Sequence, residues 1–68
     1  MTKVGEMIKK LEVGHARRFI LGKGKVRGLF TFKRIDETRF ETTSPSAIFE
    51  MTLEEIIEWT TLTEFELV

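Results

Sequence analysis

The chain has 68 residues, 41% hydrophobic and 32% charged, the composition of an ordinary globular domain rather than a disordered tail. It has no cysteine and one histidine, which excludes disulfides and thiolate metal sites and argues against an all-protein zinc site. Its net charge of zero conceals a division: ten Lys or Arg against two acids give +8 in residues 1–34, and one base against nine acids gives −8 in residues 35–68.

The first predicted element is a helix. Val4, Met7, Ile8 and Leu11 recur at i, i+3, i+4 and i+7 as one apolar stripe, while Lys3, Glu6, Lys9, Lys10 and Glu12 face away. Thr2 reads as its N-cap and Gly14 as its left-handed terminator, with Lys9 and Lys10 suited to the negative end of the dipole. From Ala16 the pattern turns to strands. Phe19-Ile20-Leu21 leads through Gly22-Lys23-Gly24, a hairpin turn, into Lys25 to Arg34. Val26, Gly28, Phe30 and Phe32 share the predicted core face of this second strand, and Arg27, Leu29, Thr31 and Lys33 the other. Asp36-Glu37 marks another turn, and Thr38 to Thr43 a third strand with Phe40 pointing inward.

Thr43-Ser44-Pro45-Ser46 is a loop, and Ala47 to Met51 reads as a brief strand. Thr52-Leu53-Glu54-Glu55 fits a capping box opening a second helix, with Leu53, Ile56, Ile57 and Thr60 buried and Glu54, Glu55 and Glu58 solvated. Thr61 to Val68 alternates and reads as a last strand, paired with the first or the third. The expected fold is α+β: an N-terminal helix packed on a three- to four-stranded antiparallel sheet, with a second short helix before the last strand. A small open barrel is the alternative, because Gly28 could let its strand bend.

No catalytic constellation emerges. His15 has no nucleophile beside it in sequence and reads as a structural residue next to the first helix terminus. Glu54, Glu55 and Glu58 diverge into water instead of converging on a cation. Gly22-Lys23-Gly24-Lys25 lacks the spacing of either phosphate-binding glycine motif. No cofactor, metal or small-molecule substrate is therefore expected.

Two surfaces remain as candidates. Trp59, with Leu62, Glu55 and Glu58, lies at the border of the second helix's apolar stripe, and tryptophan is enriched at interfaces. Arg17, Arg18, Lys23, Lys25, Arg27 and Lys33 make the first hairpin basic, as a phosphate-following ribbon would be. The opposed reading is that the basic and acidic halves lie against each other and neutralise. One domain spanning 1–68 is expected, near the size at which small folds gain from self-association. No apolar run reaches the ~20 residues that span a bilayer. Residues 1–6 do not resemble a signal peptide, and the chain lacks cysteine, so it reads as cytoplasmic. The sequence thus predicts a non-enzymatic protein-interaction module, binding a larger partner or itself as a homodimer. Nucleic-acid binding through the basic hairpin is the alternative.

Overall fold

In the computed structural model the chain runs α1 (Lys3–Lys9), β1 (Ala16–Lys23), β2 (Val26–Arg34), β3 (Arg39–Thr43), β4 (Ile48–Thr52), α2 (Leu53–Thr60) and β5 (Glu64–Leu67). The structure describes residues 3–23, 25–61 and 63–67, with the backbone alone for Lys23, Glu66 and Leu67. The Thr2 N-cap, Gly24 and Leu62 lie outside them.

The strands form one open antiparallel sheet in the order β4-β3-β2-β1-β5. This is the α+β fold expected, with one strand more than expected and without barrel closure. Gly28 gives room to a loop: a Cβ there would sit 3.1 Å from the Pro45 ring, which comes from the β3–β4 loop. The last strand pairs with β1, setting Phe65 against Leu21 and Glu64 against Gly22.

Register decides which residues meet the helices. Phe19 and Leu21 of β1, Phe32 of β2 and Phe40 of β3 are fully buried with Val4 and Ile8 of α1 and Ile56 of α2. Opposed residues of an antiparallel pair share a face, so both helices cover one side of the sheet. The other side is open to solvent. Val26, expected in the core, is 81% exposed, because β2 overhangs the packed layer at its hairpin end.

Thr52 caps α2 as expected: its hydroxyl accepts from Glu55 N–H at 3.2 Å, and Glu55 Oε1 accepts from Thr52 N–H at 3.0 Å. The end of α1 differs from expectation. The helix stops at Lys9, well before Gly14. Gly14 has φ 89°, but it serves a β-bulge instead of a helix cap. Its N–H donates to Arg34 O at 2.8 Å while Arg34 N–H donates to His15 O at 2.9 Å, so two residues oppose one. His15 is therefore the second bulge residue, exposed, and it follows the bulge glycine instead of a helix terminus, since α1 has already ended at Lys9. Arg34 meets the chain where α1 ends: its Nη1 donates to the O of Lys9, the last helical residue, at 2.9 Å and to Leu11 O, just beyond the helix, at 2.6 Å.

Candidate interaction surfaces

The strand alternation divides the basic hairpin between the two sides of the sheet. Arg18, Arg27 and Lys33 project from the open side. Arg17 lies on the helix side, where it lines a shallow cleft of about 560 Å³ with Lys3, Glu6, Met7, Lys10 and Leu11. Lys25 is exposed in the turn, and only the backbone of Lys23 is described. The six residues thus do not form one stripe.

Some of this charge is answered inside the chain. Arg27 Nη2 meets Glu64 Oε2 at 3.0 Å by crossing Gly22, which lies between them in register. Gly22 must lack a side chain: a Cβ would collide with the Val26 carbonyl and come within 2.9 Å of the Arg27 side chain. Lys33 stands opposite Glu41. At the far side Arg39 bridges two acids, Asp36 at 2.6 Å and Glu50 at 3.0 Å. The Asp36 carboxyl also accepts the N–H groups of Thr38 at 2.9 Å and Arg39 at 2.8 Å. The Thr38 N–H, then the Arg39 side chain and N–H, lower its pKa from 3.8 to about 2.

The four residues grouped around the second helix also take separate places. Trp59 is half-buried, its ring edge-on to Phe30 at 4.9 Å and to Phe32 at 6.3 Å, so much of its surface is spent on the core. Glu55 is engaged in the capping box, Glu58 is exposed, and Leu62 lies outside the described residues.

An additional surface went unread in the sequence. Strand β4 is a sheet edge, and it carries two exposed apolar side chains, Ile48 at 67% and Phe49 at 41%, one on each side of the sheet. Ile48 lies on the open side and Phe49 on the helix side, beside buried Thr42, yet both stay exposed. The segment reads as an ordinary short strand in sequence; only the strand order reveals that no strand among the described residues flanks its outer side. The signal that could have drawn attention to it is the pair Ile48-Phe49 itself, two large apolar residues in succession on a strand with only one covered face.

Among the described residues no three His, Cys, Asp or Glu side chains converge as metal ligands, and no helix is long and apolar enough to cross a membrane. No family model, curated protein or solved structure matches the chain.

Proposed function

We propose that this chain is a non-enzymatic protein-interaction module, acting in the cytoplasm by docking on a larger partner or on itself. The observation that carries the reading is the β4 edge, whose outer backbone groups pair with no strand among the described residues and lie beside exposed Ile48 and Phe49. Such an edge binds an added strand through main-chain hydrogen bonds, with side-chain contacts on either face supplying selectivity. A chain without cysteine suits a reducing compartment. The second reading is nucleic-acid binding, favoured by the exposure of Arg18, Lys25 and Lys33.

Affinity capture from a lysate of the source cell, with and without nuclease, separates the two readings when wild type is compared with Ile48→Lys. The module reading expects a protein that survives nuclease and is lost with the edge variant, because an edge lysine opposes strand addition. Capture that vanishes with nuclease, or is indifferent to Ile48→Lys, overturns the β4 reading.

A further inference from the structure

We propose that the occupant of the β4 edge is a second copy of this chain, added antiparallel so that two five-stranded sheets join into one across a two-fold axis beside Phe49. The inference rests on the interaction-module reading and names its partner.

The ladder fixes which backbone groups are free. Leu53 N–H donates to Thr38 O at 3.0 Å and Ser44 N–H to Ala47 O at 2.8 Å, at the two ends of the β3–β4 pairing. Hydrogen-bonded pairs alternate along an antiparallel ladder, so Thr42–Phe49 and Phe40–Met51 are bonded pairs. Ile48 and Glu50 therefore turn their N–H and C=O groups away from β3, toward the empty side.

The edge lacks the usual protections. Ile48–Thr52 holds no proline, no lysine and no left-handed residue. Its one charge, Glu50, is drawn back toward β3 by Arg39 at 3.0 Å. Self-pairing then has one favoured register. With Phe49 at the two-fold, Ile48 of each copy bonds Glu50 of the other, giving about four backbone hydrogen bonds. The two Phe49 side chains face each other as a non-hydrogen-bonded pair, the closest cross-strand position and one favourable to aromatics. A shift of two residues one way sets Glu50 against Glu50, which like-charge repulsion opposes. The same shift the other way parts the phenylalanines. A net charge of zero leaves no long-range repulsion between copies, and a 68-residue chain is of a size that gains from association.

The test is sedimentation equilibrium of the full chain from micromolar to millimolar concentration, together with isotope-filtered NOE spectra on mixed labelled and unlabelled protein. A doubled mass with Phe49-to-Phe49 NOEs between copies is the expected result. Ile48→Pro removes an N–H that the fold itself does not use, at the first residue of an edge strand, where proline is tolerated. It should weaken the dimer by on the order of tenfold or more. Phe49→Lys is the second edge variant, and Val26→Lys, at an exposed apolar site away from the edge, should leave the mass unchanged. A monomer at millimolar concentration overturns the proposal, as does a dimer indifferent to both edge variants. If that monomer still captures another protein through Ile48, self-pairing is wrong and the module reading stands; if edge-dependent capture fails as well, both fall.

Discussion

Thr42 is the polar residue least at ease in this core. It is fully buried, opposed to Phe32 on one side and Phe49 on the other, and its hydroxyl has no hydrogen-bond partner among the described residues. A buried hydroxyl left unpaired costs free energy that a methyl of the same shape does not. Thr42→Val should therefore stabilise the fold by about 1 kcal/mol, raising the melting temperature by roughly 4–8 °C. Thermal and urea unfolding read this directly; a loss of stability would mean that the hydroxyl has a partner. Asp36 makes the opposite case, a polar group well supplied with donors. Its carboxyl titrates at about 2 in the fold against an ordinary 3.8, so the unfolded chain binds the proton more tightly. The stabilisation from this depressed pKa is fully present above 3.8 and is lost as pH falls through about 2. In Asp36→Asn, that part of the acid dependence should be missing from urea-unfolding profiles taken across the same window.

At the level of elements, Arg34 is the joint between helix and sheet. Its guanidinium donates to four carbonyls: Lys9 at 2.9 Å, Leu11 at 2.6 Å, Asp36 at 2.9 Å and Glu37 at 2.7 Å. It also lies 5.2 Å from the Phe40 ring centroid. A seven-residue helix is too short to persist alone, and here the carbonyl of its last residue, Lys9, is met by a residue from β2. Arg34→Met should cost about 2–3 kcal/mol in urea unfolding, and Arg34→Lys should restore little, because an ammonium cannot span a planar fork's partners. A cost below about 0.5 kcal/mol would mean that water replaces the guanidinium. This joint also marks the limit of what the sequence disclosed. The capping box at Thr52 and Glu55 was legible because both halves lie within one turn. The burial of Phe32 and Phe40 was legible because alternation is local. Gly14 was misread because a left-handed glycine after an apolar stripe fits a helix end as well as a bulge, and only the distant Arg34 decides between them. Likewise, Trp59 showed its position on the helix but not the phenylalanine rings waiting beneath it.

For the molecule as a whole, strand order gives the divided charge its place. The basic β1–β2 hairpin sits inside the sheet, with β5 on one flank and β3 and β4 on the other, so acids from the second half border it on both sides. The Arg27–Glu64 and Arg39–Glu50 pairs are exposed, and such pairs add little stability singly. Their larger effect is on choice, since a basic strand accepts an acidic neighbour more readily than another basic one. The sequence left open whether the last strand joins β1 or β3, because pairing between distant segments is not written in local periodicity. The same order that encloses the hairpin leaves β4 outermost, and β4 has one more property. Thr52 is at once its last residue and the cap of α2, so strand and helix meet with no linker between them. The chain's single tryptophan rides on that helix, edge-on to Phe30. A strand laid against the edge would thus press on a lever ending at an indole ring, making the protein's own ultraviolet emission a dye-free gauge of whether its edge is occupied.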